Sequence, residues 1–89
     1  MDPLDGFELS RIDGLARPLL VARGSKGYAA CAYVDVNVAE KFDEACIIFS
    51  GVATHQAFLD AEVKKASPKA LQLGVTVGMG GRDALALLR

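Results

Sequence analysis

The chain has 89 residues and a mass of 9.4 kDa, with 10 basic and 11 acidic side chains and a formal net charge of −1. This length allows one small core and excludes an enzyme with separate cofactor and substrate domains, so we expect one domain over residues 1–89. The even charge balance excludes a protein that binds nucleic acid through a basic face, and the longest apolar stretch is too short and too polar to span a membrane.

Composition also favours association between copies of the chain. The apolar fraction of 52% is high for a core of this size, so apolar surface remains outside unless something covers it. We therefore expect self-association, as a homodimer or a higher oligomer.

The cysteines give no sign of a metal or a disulfide framework. Cys31 and Cys46 lie in apolar runs without CxxC spacing, and the chain has one histidine. We expect two buried free thiols, no metal and no cofactor. The acidic segment 1–5 differs from a basic signal peptide, so we expect a cytoplasmic protein.

The first half of the chain predicts a three-strand antiparallel meander. Alternating residues 7–12 predict an edge strand, and Asp13-Gly14 predicts a tight hairpin turn after it. Residues 19–23 predict a buried strand. After a turn at residues 24–27, residues 28–34 predict the strand that completes the meander.

The period changes after Asp35. Asn37 and Glu40 have the spacing of a capping box, which predicts a helix over about residues 38–44. Its inward stripe would consist of Val38, Phe42 and Ala45, with Ala39 alongside. The apolar run 46–49 then predicts a strand buried on both faces.

The last third of the chain predicts short helices. Thr54 can cap a helical turn that reaches Leu59, and Ser67-Pro68 can begin a helix that ends at Gly74. Residues 75–77 predict an extended piece, and Gly80-Gly81 opens a last helix whose inward residues are Ala84, Leu85 and Leu88. The fold class is therefore α+β: an antiparallel three-strand meander extended to a mixed sheet, with short helices packed on one face.

Several segments carry a resemblance to a known family. They are residues 27–33 (Gly-Tyr-Ala-Ala-Cys-Ala-Tyr), 39–41, 50–54, 58–63, 73–75 and 78–85. In these segments, which span about residues 19–89, the chain resembles the YunC-like domains of unknown function. The resemblance implies a small α+β fold and no established activity.

The chain also differs at several positions from what the resemblance leads us to expect. Relatives usually carry Gly where this chain has Ala32, a basic residue at Ala53, an acidic residue at 56 or 57, and Ser or Thr at Gly80. If relatives use those groups for chemistry, this chain has lost it. Cys31, Thr54, the two Gly-containing turns and Arg82 remain.

Cys31 is the candidate nucleophile. A thiol reacts as thiolate, which requires a nearby base or cation, and His55 is the candidate base. Asp35 could orient that base, or it could begin the following helix. The alternative for Cys31 is a small core residue in an alanine-rich strand.

Gly78, Gly80, Gly81 and Arg82 form the candidate ligand site. Glycines allow close approach of the backbone, a helix N-terminus presents free N–H groups, and Arg82 adds a fork for phosphate or carboxylate. Thr54 is a weaker candidate contact beside the other Gly-containing turn. The alternative is that both turns are structural, with Thr54 as a helix cap.

Two functions follow from these candidates. One is a non-catalytic domain that self-associates and binds a small anion. The alternative is a cysteine-dependent enzyme that uses Cys31.

Overall fold

The computed structural model describes residues 2–89, so Met1 of the acidic N-terminal segment lies outside the described residues. One sheet has the strand order β1-β2-β3-β4-β5. The strands are β1 (Glu8–Ile12), β2 (Leu19–Arg23), β3 (Tyr28–Cys31), β4 (Cys46–Phe49) and β5 (Lys65–Ala66). The helices are α1 (Val36–Lys41), α2 (His55–Asp60), α3 (Pro68–Gln72) and α4 (Gly81–Leu88).

The α+β class, the antiparallel meander and the mixed sheet are confirmed. β1, β2 and β3 pair antiparallel, β4 lies parallel to β3, and β5 lies antiparallel to β4. β1 is an edge strand, and all four residues of β4 are buried. The fully apolar sequence of β4 follows from its place between two strands and two covered faces.

The main core lies on one face of the sheet, beneath α2, α3 and α4. Phe49 of β4 stacks on Phe58 of α2 with ring centroids 5.0 Å apart. Leu85 and Leu88 of α4 are fully buried there, as the sequence predicts. A smaller cluster on the other face joins Ala39 of α1 to Ala30, Cys46 and Ile48.

The first helix differs from its predicted form. Asp35 is the N-cap and accepts a hydrogen bond from Asn37 N at 2.8 Å, so the helix begins before Asn37 and the capping box is wrong. Ala39 is its buried residue, whereas Val38 is 49% and Phe42 71% exposed. Val38 and Phe42 of the predicted inward stripe therefore face solvent, whereas Ala39 and Ala45 are buried as predicted.

Three further boundaries are corrections. The first hairpin has a loop over residues 13–18 rather than a tight turn, because Ile12 pairs with Leu19. β3 ends at Cys31 rather than at residue 34, since Val34 N bonds to Cys31 O and turns the chain toward α1. Residues 75–77 form no strand among the described residues, and β5 was not predicted.

The other caps were correctly predicted. Thr54 accepts a hydrogen bond from Ala57 N at 3.1 Å at the start of α2. Ser67 caps α3, in which Pro68 takes the first helical position. Gly80 is the N-cap of α4 but has no side chain to offer a hydrogen bond.

Candidate functional site

The candidate site lies at the carboxyl ends of the parallel strands β3 and β4. From β3 the chain enters α1 on one face of the sheet, and from β4 it enters α2 on the other face. Where the connections after neighbouring parallel strands diverge in this way, they leave a crevice outside the strand ends, and ligands of open α/β sheets bind at such points. We call this crevice the strand-end cleft.

The strand-end cleft consists of two adjoining cavities that share Ala32 and Tyr33. The smaller cavity has about 180 Å³ and is lined mainly by apolar groups, with Arg17 and Cys31 at its wall. The larger has about 620 Å³ and a more polar wall. The larger volume lies within the range of about 300–1,000 Å³ typical of small-molecule sites.

Positive charge dominates the wall of the strand-end cleft. Lys64 and Lys65 line the larger cavity, and Arg17 lines the smaller one. The single carboxylate of the two walls, Asp35, is engaged as the cap of α1. The ion pairs of residues 2–89 involve other cations: Arg11 with Asp13, Arg23 with Glu8, and Lys69 with Asp43. The cleft therefore has uncompensated positive charge.

Neutral donors complete the larger cavity. Ser50, with its hydroxyl, and Asn37, with its amide, are among the lining residues. The N–H group of Tyr33, in the turn after β3, makes no main-chain hydrogen bond within residues 2–89. Such donors beside lysines suit the oxygen atoms of phosphate or carboxylate.

Tyr33 connects the cleft to the first hairpin. Its hydroxyl accepts a hydrogen bond from Arg17 N at 3.4 Å, which holds the loop 13–18 over the smaller cavity. Tyr33 lies in the turn after β3 and is half exposed. It is therefore outside the strand in which the sequence analysis placed it.

Cys31 lies at the base of the smaller cavity with 5% of its surface exposed. Its Sγ accepts a hydrogen bond from Leu20 N at 3.4 Å. The thiol therefore completes the main-chain pairing of β2 with β3 at the point where the ladder ends.

His55 is engaged elsewhere. Its Nε2 lies 2.8 Å from Ser10 O and 3.2 Å from Val21 O. Both neighbours are carbonyl acceptors, so Nε2 carries the proton and donates it. Cys31 and His55 make no hydrogen bond with each other, and His55 ties α2 to the first hairpin instead.

Most N–H groups of the Gly78–Arg82 turn have partners within the fold. Gly78 N donates to Val63 O, Met79 N to Thr76 O, and Gly81 N to Ala61 O. Gly78 has φ +95°, which explains the glycine there. Arg82 is exposed and forms no ion pair within the described residues. The anion site at Gly78, Gly80, Gly81 and Arg82 stays a prediction, as does a ligand contact for Thr54.

The buried Cys46 and the partly buried Tyr28 form a pair on the other side of the sheet from the main core. They are register partners in β3 and β4. Burial raises the pKa of the Cys46 thiol from its ordinary value of 9.0 to about 11. Burial, and next the Cys46 thiol, raise the pKa of the Tyr28 hydroxyl well above its usual range. Both groups are therefore neutral at pH 7, and Cys46 is inert as a nucleophile.

Two other kinds of site were searched for in the described residues. Within residues 2–89, no three His, Cys, Asp or Glu side chains lie close enough together to hold a metal ion. Over the same residues, every helix is too short or too polar to cross a membrane.

The sequence analysis missed the strand-end cleft. It predicted no ligand contact at Lys64, Lys65, Arg17 or Ser50, and it considered Asn37 only as part of a helix cap. A signal was present: a strand, a short helix and an apolar strand follow in order over residues 28–49, which is the pattern of a parallel crossover.

Comparison with known proteins gives a family but no activity. A family model described as "Domain of unknown function (DUF1805)" matches residues 30–88. The chain is similar to the crystal structure of a protein of unknown function from Thermoplasma acidophilum, with 31% sequence identity and a TM-score of 0.89. That match covers 93% of this chain and 81% of the other. None of the curated proteins matches the chain significantly.

Proposed function

Because the chain belongs to the family described as Domain of unknown function (DUF1805), whose description states no activity, we propose its function from the strand-end cleft. The chain is a non-catalytic domain that self-associates and binds a small anionic ligand. The observation that carries the ligand is the cavity of about 620 Å³ that Lys64 and Lys65 line and in which, among the described residues, Asp35 is the one carboxylate of the wall.

The chemistry of the wall defines the ligand class. Two ammonium groups supply charge, and Ser50, Asn37 and the free N–H group of Tyr33 supply oriented donors. Val34, Val36 and Ile48 give the same cavity an apolar side. This combination suits an organic phosphate or carboxylate with a small apolar part.

Thermal denaturation with added anions tests the proposal. The probes are inorganic phosphate and citrate, with potassium chloride at equal ionic strength as the control. A ligand that binds only the folded chain stabilises it by about 2.7 kcal/mol at 100 times its Kd. We expect both probes to raise Tm and the double variant Lys64→Met/Lys65→Met to lose that increase.

Two control variants locate the binding. Lys69→Met removes an exposed lysine that lies outside the strand-end cleft, where it pairs with Asp43, and should keep the response. Arg82→Ala should keep it too. If Arg82→Ala abolishes the response and the double lysine variant retains it, the ligand lies at the Gly78–Arg82 turn. If neither probe raises Tm above potassium chloride, the chain does not bind these anions and the proposal is wrong.

A second candidate function rests on Cys31. The thiol lines the smaller cavity together with Arg17. Cysteine-dependent chemistry at Cys31 is therefore the alternative. Rapid labelling of Cys31 by iodoacetamide in the folded protein would favour it, and labelling only on unfolding would count against it.

The proposal also assigns the domain to the cytoplasm and to the YunC-like relatives. Cys31 and Cys46 are free and buried, which suits a compartment that keeps thiols reduced. The likeness to YunC-like domains rests on the segments quoted for it, since the family match is known only as a domain of unknown function.

A further inference from the structure

β1 is the long unpaired edge of the sheet. Within residues 2–89 it pairs only with β2, and all five of its residues are exposed. The opposite edge, β5, has two residues. Leu9 is 44% and Ile12 55% exposed on β1. A long edge strand with exposed apolar side chains is a template for pairing with another strand.

The hydrogen-bond alternation shows which groups of β1 are free. Gly24 N donates to Gly27 O at the β2–β3 turn, and Leu20 N donates to Cys31 Sγ. The main-chain N–H and C=O groups of the even-numbered residues of β2 therefore point toward β3. The odd-numbered residues of β2 therefore bond to β1, at their partners Glu8, Ser10 and Ile12. The N–H and C=O groups of Leu9 and Arg11 consequently point away from the sheet.

A second copy of the chain fits these groups in one register. Odd-numbered and even-numbered residues of β1 point to opposite faces of the sheet, and residues directly opposite each other point to the same face. Two copies of β1 that pair antiparallel and keep the faces continuous therefore pair odd with odd and even with even residues. Pairing Leu9 of one copy with Arg11 of the other uses all the free N–H and C=O groups of Leu9 and Arg11 and gives four main-chain hydrogen bonds. It places Ser10 opposite Ser10 on the twofold axis.

The neighbouring registers are less favourable. Pairing Leu9 with Leu9 brings Arg11 opposite Phe7, whose N–H already bonds to Leu4 O. Pairing Arg11 with Arg11 sets two like charges directly opposite each other, which is destabilising. The Leu9–Arg11 register has no like charges directly opposite.

The side chains at the ends of the strands are compatible with the same register. It places Asp13 of one copy, which pairs with Arg11 of its own copy, opposite the uncharged Phe7 of the other. Ile12 lies opposite the stem of Glu8, which covers part of its exposed surface.

We propose that two copies of the chain dimerise by antiparallel pairing of β1 with β1, centred on Ser10, which joins the two sheets into one. This rests on the self-association in the proposed function and names its surface. The anion-binding cleft does not depend on it.

Disulfide trapping tests the register. In the variant Ser10→Cys the two new cysteines are a non-hydrogen-bonded pair with Cα atoms about 4.5 Å apart, within disulfide range. In the matched control Ile12→Cys, residue 12 of one copy lies opposite residue 8 of the other. The two new cysteines are then four residues apart along the strands, which is about 13 Å between their Cα atoms and too far for a disulfide. With oxidised glutathione, we expect Ser10→Cys to form a covalent dimer and Ile12→Cys to remain uncrosslinked.

Sedimentation equilibrium at micromolar concentration tests the surface. Leu9→Lys places a lysine opposite Arg11 twice in the dimer and should raise its dissociation constant about tenfold or more. Phe42→Lys changes a still more exposed apolar residue, at the C-cap of α1, and should leave the constant unchanged. Thermal denaturation of each variant monitors its folding.

Each outcome has one meaning. A wild-type dimer that Leu9→Lys weakens and Ser10→Cys traps supports the proposal. A wild-type dimer that Phe42→Lys weakens and Leu9→Lys does not overturns the β1 interface but keeps self-association. A wild-type dimer that Ile12→Cys traps and Ser10→Cys does not overturns the register centred on Ser10. A wild-type chain that is monomeric overturns the interface and self-association together, while anion binding is decided by its own titration.

Discussion

The main-chain carbonyl of Phe58 occupies the space in which a side chain on Gly81 would begin. A Cβ at residue 81 would overlap the Phe58 oxygen and also crowd the Ala61 oxygen. Gly81 N donates to Ala61 O at 2.7 Å, so the start of α4 lies directly against the end of α2. The glycine is therefore required by helix packing, independently of any ligand.

Gly81→Ala should lower the free energy of unfolding by about 3 kcal/mol or more, because backbone atoms must move to admit the methyl group. The matched control is Gly80→Ala. Gly80 has φ −65° and open space around it, so that change should stay within about 1 kcal/mol. Urea denaturation measures both. Equal losses in the two variants would contradict the packing role of Gly81.

Local signals in the sequence predicted much of the fold. The run 46–49 was identified because it is wholly apolar and ends at Ser50-Gly51, and α3 because Ser67-Pro68 is a strong helix start. The limits of α1 were missed, since Asp35 and Asn37 are both able to cap a helix. The choice between them depends on which residue packs on β4, and that residue is Ala39.

The strand-end cleft could not be predicted from local patterns in the sequence. Its wall joins Tyr33, after β3, to Lys64, thirty-one positions later in the chain. These meet only because β3 and β4 are parallel and β5 adds to the edge of β4. β5 itself has two residues, one of them lysine, and so has no alternation to detect.

Ser67→Ala should cost about 2–3 kcal/mol of unfolding free energy. The buried Ser67 Oγ accepts hydrogen bonds from Cys46 N at 2.9 Å and Ala70 N at 3.4 Å, and donates to Glu44 O at 2.7 Å. Removing it leaves buried groups without partners. Thr54→Ala removes an exposed cap and should cost about 1 kcal/mol, since water replaces the hydroxyl. If chemical denaturation gives Ser67→Ala the smaller loss, this account of Ser67 is wrong.

Cys31 and Cys46 should react with iodoacetamide only as fast as the chain unfolds. Their exposed fractions are 5% and zero. Cys31→Ala should cost about 1 kcal/mol of stability, as expected for a small core residue. Mass spectrometry of the labelled chain after brief exposure measures the rate at each thiol. Modification of Cys31 before any unfolding would instead support cysteine chemistry in the smaller cavity.

The raised pKa of Cys46 should make stability fall at alkaline pH. Its thiol has a pKa of about 11 in the folded chain, against an ordinary value of 9.0, because burial disfavours the thiolate. Above pH 9 the unfolded chain loses this proton while the folded chain retains it. The contribution of the Cys46 thiol to the free energy of unfolding is therefore fully present below pH 9 and is lost as the pH rises through 11.

The slope due to Cys46 should approach about 1.4 kcal/mol per pH unit between its two pKa values. Urea denaturation of the wild type and of Cys46→Ala, with a phosphine reductant, measures it from pH 8 to 10, before most tyrosines ionise. We expect the wild type to lose stability more steeply than the variant over this range, although the variant starts lower because it has lost a buried sulfur. Parallel pH profiles would mean that Cys46 ionises as readily in the folded chain as in the unfolded one, contrary to its burial between β3, β4 and α1.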